Sequence, residues 1–289
     1  MIWGAASPIF KLALQNIPPF TLAFIRFFEG AAILFPFAVN QLRIEKKDWF
    51  TLVLLSFFGI TVNISFFFLG LKQAPSVNAP IIASSGPVFL YLFSILILGE
   101  KPQKKILKGI LISIVGVLLI VGEPLVEQGF NGELIGNLLF VIATLGSVGH
   151  AIFSKKIMTN YRPVVITFWS FCIGALSFLP FLPFEFSTVN PLATLDYRGW
   201  IGIVFGVLFS SALGYFLYEW GLSRIKAQEV GLFTYIDPVI AMAIAVPLLG
   251  ESFSPIFIIG SLFIFLGIFL AEGRLHYHPL SLLKRLVSK

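Results

Sequence analysis

Ten apolar stretches, each closed off by proline, glycine or charge, follow one another near residues 2–15, 19–39, 49–71, 77–98, 104–122, 132–156, 163–182, 199–221, 228–249 and 255–273. A run of about 20 apolar residues is what crosses the roughly 30 Å hydrocarbon core of a bilayer. In that solvent each segment must satisfy its own backbone polar groups, so separate runs of this kind are read as helices. Charged residues make up 12% of the chain and hydrophobic residues 57%, about half the charge a water-soluble domain carries. The reading is an all-α membrane protein of ten transmembrane helices with little mass outside the bilayer.

The basic residues set the orientation. Counting alternate connections from 40–48 onward together with the C-terminal tail, 16 of the 20 Lys and Arg fall on one side, while the other carries only Lys72 and Arg198 beside Glu123, Glu127, Glu133, Glu185 and Asp196. The basic side is predicted to be cytoplasmic, with both termini there, in an inner or plasma membrane. The net charge of +6 is thereby a topology signal, and a nucleic-acid partner is not expected. Residues 274–289 read as a basic amphipathic segment on the cytoplasmic surface.

The helices repeat. A shift of 151 superimposes Trp49 on Trp200, Gly70 on Gly221, Pro87 on Pro238, Gly99-Glu100 on Gly250-Glu251, and Gly109, Gly116 and Gly122 on Gly260, Gly267 and Gly273. Upstream the shift is 144, matching Lys11 to Lys155, Pro19 to Pro163, Gly30 to Gly174 and Pro36-Phe37 to Pro180-Phe181. Residues 1–122 and 132–273 are thus two copies of a five-helix unit. Five is odd, so consecutive copies enter the membrane from opposite sides, the inverted repeat common among secondary transporters. Glycines seven apart lie on one helix face and let backbones approach closely in lipid. Residues 132–144 of the sixth helix have no counterpart in the first. A helix over 1–15 would be about 22 Å long, so the sequence is expected to begin inside its first helix.

These features resemble the EamA type of the drug/metabolite transporter superfamily over nearly the whole chain. The resemblance rests on Trp3-Gly4 with Lys11, on Arg26-Phe27, and on the paired blocks Pro87 to Glu100 and Pro238 to Glu251, each followed by a glycine-spaced helix. It implies ten helices in two inverted repeats, a central cavity, and transport of small metabolites, with no substrate specified. Where many members carry a polar residue near the fourth position after the Trp-Gly pair, this chain has Ala6 and Ser7-Pro8.

Repeat transporters bind substrate near the midplane, where helices are interrupted at corresponding positions. Gly86-Pro87 and Asp237-Pro238 are such a pair, each proline freeing a carbonyl four residues back. Asn78, Ser84 and Ser85 add polarity to the fourth helix, and Tyr235 lies beside Asp237. Asp237 could bind a substrate amine, carry a proton, or be neutral packing. Glu29 and Arg26, three apart on the second helix, are expected to share a face, where they can pair. Arg26 reads as a brace, with Lys11 at a similar depth, and Glu29 as a cavity candidate. His150 aligns with Ala6 and could couple transport to protons or only bond a carbonyl. Glu219, with Tyr215 one turn before it, suits either a cytoplasmic gate or an interfacial carboxylate. Glu100 and Glu251 are expected to cap the helix that follows each.

The predicted function is secondary transport, in the export direction, of a small amino acid-like or amphipathic metabolite by alternating access around a midplane cavity. Oligomeric state is left open. No Walker A pattern, HExxH or GxSxG occurs, and the single Cys172 builds neither a disulfide framework nor a metal site within one chain. A cofactor is not expected. An intramembrane enzyme, a receptor and a channel are the alternatives.

Overall fold

A computed structural model describes residues 2–89, 91, 93, 104–158, 160–188, 190, 193–224 and 233–272. Glu100 and the tail 274–289 lie outside these. Among the described residues helical segments fall on each of the ten expected stretches, covering only part of 77–98 and of 228–249. They are α1 (Ile2–Ala13), α2 (Pro19–Ala38), α3 (Lys46–Leu71), α4 (Asn78–Ala83), α5 (Lys104–Gln128), α6 (Gly132–Ile157), α7 (Pro163–Phe178), α8 (Tyr197–Arg224), α9 (Asp237–Leu249) and α10 (Pro255–Glu272). No strand occurs among the described residues. Among the described residues six helical stretches are long and apolar enough to cross a bilayer, and α9 and α10 are shorter apolar helices.

Local chemistry sets the ends. Pro19 and Pro163 open α2 and α7, where a missing amide hydrogen is no loss. The Asn131 side chain accepts from Leu134 N at 3.0 Å to start α6. Gly250 stops α9 with φ +68°, a left-handed turn that glycine takes without strain. Neighbouring elements supply two further caps. Glu185, on the short helix Leu182–Thr188, accepts from the amides of Phe20 and Thr21 at 2.9 and 2.7 Å. Glu251 accepts from the amides of Ser76 and Val77 at 2.7 and 3.2 Å, ahead of α4. A carboxylate there meets the positive end of the helix dipole. Glu251 therefore caps α4, not the following helix as its local sequence suggested, because the 250–254 turn is folded against the start of α4.

Packing runs across the repeat boundary. The pairs are α5 on α10, α2 on α7, α3 and α4 on α6, and α8 and α9 on α1. The glycine stripes meet each other. A Cβ at Gly116 would stand 2.5 Å from Gly260 O and 2.7 Å from Ile264 N, and one at Gly267 would strike Gly109 O and the Ser113 amide. Gly116 thus faces Gly260 while Gly109 faces Gly267, so the helices are antiparallel and equivalent residues contact equivalent residues. Ser113 and Ile264, equivalent to one another, meet where Ser113 Oγ donates to Ile264 O at 2.9 Å. This is a pseudo-twofold contact between inverted copies. On the opposite face of α5, Leu111, Leu118 and Leu125 are exposed at the seven-residue interval, as suits a surface against lipid.

Candidate functional site

Both α3 and α8 widen into a π-helix, over Phe57–Val62 and Phe205–Leu213, and the 151-residue shift lays the first onto residues 208–213 within the second. Such segments recur at functional sites because the wider turn leaves carbonyls outside the regular ladder. Here those carbonyls accept side chains. Gly59 O takes Tyr215 Oη–H at 3.0 Å, and its repeat equivalent, Ser210 O, takes Trp3 Nε1–H at 3.1 Å. Leu55 O faces His150 Nδ1 at 3.0 Å.

Between the repeats lies a cavity of about 210 Å³, smaller than the roughly 300–1,000 Å³ of many small-molecule sites. Its wall draws on α1, α2, α3, α4, α6, α8 and Asp237 at the start of α9. Aromatic rings dominate: Trp3, Phe10, Phe67, Phe140, Tyr215 and Tyr218. The polar lining includes Ser7, Arg26, Asn63, His150 and Asp237.

Arg26 is 1% exposed. Its Nε donates to Ser211 Oγ and its Nη2 to Ser210 Oγ, each at 3.0 Å, and its guanidinium lies 4.6 Å from the Phe10 ring and 4.8 Å from that of Phe27. The hydroxyls hold the edge of the guanidinium shared by Nε and Nη2, and the rings offer their electron-rich faces. Arg26 Nη1 and Ser7 Oγ have no hydrogen-bond partner among the described residues.

His150 Nε2 lies 2.8 Å from Glu219 Oε1, and Ser154 Oγ donates to Glu219 Oε2. Both members of the pair are buried. Because Nδ1 faces a carbonyl, that nitrogen is assigned the hydrogen. One further proton then serves the contact between Nε2 and the carboxylate. Tyr215 and Tyr218 pack on the imidazole with ring centroids 6.0 and 6.1 Å away.

Of the residues singled out from sequence, His150, Tyr215, Asp237 and Arg26 line the cavity. Asp237 is buried and takes a hydrogen bond from the Gly4 amide on α1. Pro238 is also buried, at the first turn of α9 after the 3-10 turn Phe233–Ile236. Asn78 instead donates to Asn137 Oδ1 at 2.9 Å, tying α4 to α6. Ser84 and Ser85 bond back to the carbonyls of Pro80 and Ile82 within their own chain turn. The regular helix of α4 ends at Ala83, just ahead of Gly86-Pro87, and Ala83 lines the cavity. Tyr235 packs on Phe265 outside it.

Glu29 is the clearest correction. It is exposed beside Phe28 on the outer face of α2 and is neither part of the cavity wall nor the partner of Arg26. Three residues leave about 60° between two side chains on a helix, and the edge of the buried arc falls inside that angle. Lys11 lies at the other end of α1, 3.0 Å from Glu251 Oε1, and donates to Ala74 O at 2.8 Å. Glu219, for which an interfacial position was one of two readings, is instead buried against α6. Its partner Ser154 is one turn from His150, a signal the α6 sequence did contain. Trp3, Ser7, Asn63 and Tyr218 were missed as wall residues. Among the described residues no group of three His, Cys, Asp or Glu could hold a metal ion.

The model of the EamA-like transporter family matches residues 1–122 and 134–272. The chain belongs to that family. It is 28% identical over 276 residues to an uncharacterized transporter of Bacillus subtilis, covering 93% of this chain and 82% of the relative. It is 27% identical over 291 residues to a probable amino-acid metabolite efflux pump of Salmonella typhimurium, covering 93% and 91%. A solved crystal structure shares the fold at 21% identity with a TM-score of 0.66, over 93% of this chain and 91% of that one. This EamA-like chain is thus a membrane transporter by family.

Proposed function

We propose that this EamA-like protein is a secondary carrier that exports a small amino acid-like or amphipathic metabolite across the cytoplasmic membrane by alternating access. The observation that carries the reading is the cavity. It is walled by helices of both inverted copies and bordered by two equivalent π-helices. Two copies inserted in opposite senses can exchange conformations, and a site between them then faces each side in turn. The cytoplasmic placement of both termini rests on the Lys and Arg distribution. The naming of relatives as amino-acid metabolite efflux pumps supports export and the substrate class.

The transported substrate exchanges against a proton held between His150 and Glu219. The titratable and charged groups around the imidazole are Glu219, Tyr215 and Tyr218. Movement of α8 away from α6 separates Nε2 from the carboxylate and frees the proton for one side of the membrane.

Counterflow tests the reading. Proteoliposomes loaded with a mixture of amino acids and small organic acids are supplied with the same mixture labelled, and uptake is followed by mass spectrometry. Saturable exchange of at least one compound, reduced about tenfold or more by Asp237→Asn, supports the carrier and its site. Non-saturable flux would favour a channel and contradict it.

A further inference from the structure

Resting on that carrier reading, we infer that the cavity binds the carboxylate of an organic acid end-on at Arg26, with the apolar body of the acid against the aromatic wall. The argument begins with charge. A guanidinium stays charged in proteins, and a charge removed from water requires compensation or a partner. The side chains that the structure sets around Arg26 are neutral: Ser210, Ser211, Phe10, Phe27 and Phe68.

Geometry narrows the ligand. The two serines use Nε–H and one hydrogen of Nη2. Two Nη1 hydrogens and the second of Nη2 remain, and one from each nitrogen lies on the terminal edge of the fork. That edge matches the two oxygens of a carboxylate, and two parallel charge-assisted bonds form there. Arg26 lines the cavity, and Nη1 is buried without a partner. Ser7 Oγ is a second buried polar atom without a partner in the same wall, able to donate to a carboxylate oxygen.

The wall describes the rest of the molecule. Phe10, Phe67, Phe140, Tyr215 and Tyr218 offer apolar faces, and the volume of about 210 Å³ excludes bulky bodies. A small carboxylate with one aromatic or branched apolar group fits these surfaces. An inorganic anion would meet the guanidinium but leave the aromatic wall bare.

Binding of phenylacetate, phenylacetamide and inorganic phosphate to the full chain in detergent, by isothermal titration, tests this without requiring transport. The expected result is that phenylacetate binds and the amide, equal in shape and uncharged, binds about tenfold to a hundredfold more weakly, the worth of a charge-assisted pair. Phosphate binds more weakly than phenylacetate. Arg26→Gln removes the preference for acid over amide, and Arg26→Lys keeps part of it. Should the Arg26 variants fail to fold, Ser7→Ala reads the same site from α1 and lowers acid affinity without changing that of the amide. Equal binding of acid and amide, stronger binding of phosphate, binding of neither organic probe, or an unchanged preference in Arg26→Gln and Ser7→Ala each overturns the assignment. Counterflow that persists while the acid preference is absent would reject the carboxylate site and keep the carrier. Acid preference without counterflow would do the reverse.

Discussion

Replacing Gly116 by alanine sets one methyl group against the backbone of α10. The new Cβ would lie 2.5 Å from Gly260 O and 2.7 Å from Ile264 N, while ordinary contact begins near 3.4 Å. Both obstructing atoms are main chain, so relief comes only by moving the helices apart by about 1 Å. A gap of that size forfeits a quarter to a half of each dispersion contact along the seam, and it stretches the Ser113–Ile264 hydrogen bond, now 2.9 Å. Overpacking of this kind costs about 1–3 kcal/mol, offset by up to about 1 kcal/mol of helix propensity. The net expectation is a loss of about 1–2 kcal/mol. Gly260→Ala should lose less, because its nearest obstacle, Ile120 Cγ1 at 2.6 Å, is a side-chain atom that can rotate away, and its main-chain obstacle, Gly116 O, is 2.9 Å off rather than 2.5 Å. Gly122→Ala meets nothing within 4 Å and should be neutral or slightly stabilising. Unfolding in detergent followed by tryptophan fluorescence orders the three variants. If Gly116→Ala is as stable as Gly122→Ala, the close seam between the repeats is refuted.

Glu219→Gln removes the carboxylate that shares the proton with His150 Nε2, so counterflow should persist while uphill transport driven by a pH gradient falls at least about tenfold. Gradient-driven uptake at wild-type level would remove this pair from coupling. Lys11→Met breaks a partly buried cross-repeat tie (side chains 27% and 10% exposed), for which a loss of about 1–2 kcal/mol is expected, between the values for surface and buried pairs. Glu251→Gln, which keeps one acceptor for the amides ahead of α4, should lose less in the same detergent unfolding assay. Asp196, outside the helices, caps α8, and its hydrogen bond from Arg198 holds its carboxyl below the usual range. A lowered folded-state value makes this contribution present above about pH 4, the unfolded carboxylate range, and lost as pH falls through the lowered value. Asp196→Asn should therefore be less stable than wild type at neutral pH and converge with it in acid, read as melting temperature against pH.

The helices and their duplication were legible because lipid enforces length and apolarity on each segment, and because Pro87/Pro238, Gly99-Glu100/Gly250-Glu251 and the glycine stripes recur at a fixed spacing. The meaning of the stripes needed the structure. Sequence says that Gly116 shares a face with Gly109, but not that this face meets Gly260 and Gly267. The site was legible only in part. His150 and Asp237 stand out as ionisable groups in apolar runs, and both reach the cavity. Glu29 stands out in the same way and points outward, since the helical period gives a side chain's angle relative to its neighbours and not where the buried arc ends. Glu251 was assigned to the wrong helix because its partners, Ser76 and Val77, are remote in sequence. The π-helices had no sequence signal, as an extra residue per turn leaves an apolar run apolar. Their effect is nonetheless felt at Gly59, Ser210 and Leu55, whose carbonyls receive Tyr215, Trp3 and His150.

The central claim is that one site, held between two inverted repeats, is exposed to each side of the membrane in turn. Ser147 is exposed and belongs to the cavity wall. Replacing it by cysteine in a Cys172→Ala background gives a chain with a single thiol in that wall. Membrane-impermeant maleimide applied separately to right-side-out and inside-out vesicles is then the decisive measurement. The account predicts labelling from both sides, slowed from both by a transported substrate. Labelling from one side only, unchanged by substrate, would contradict alternating access.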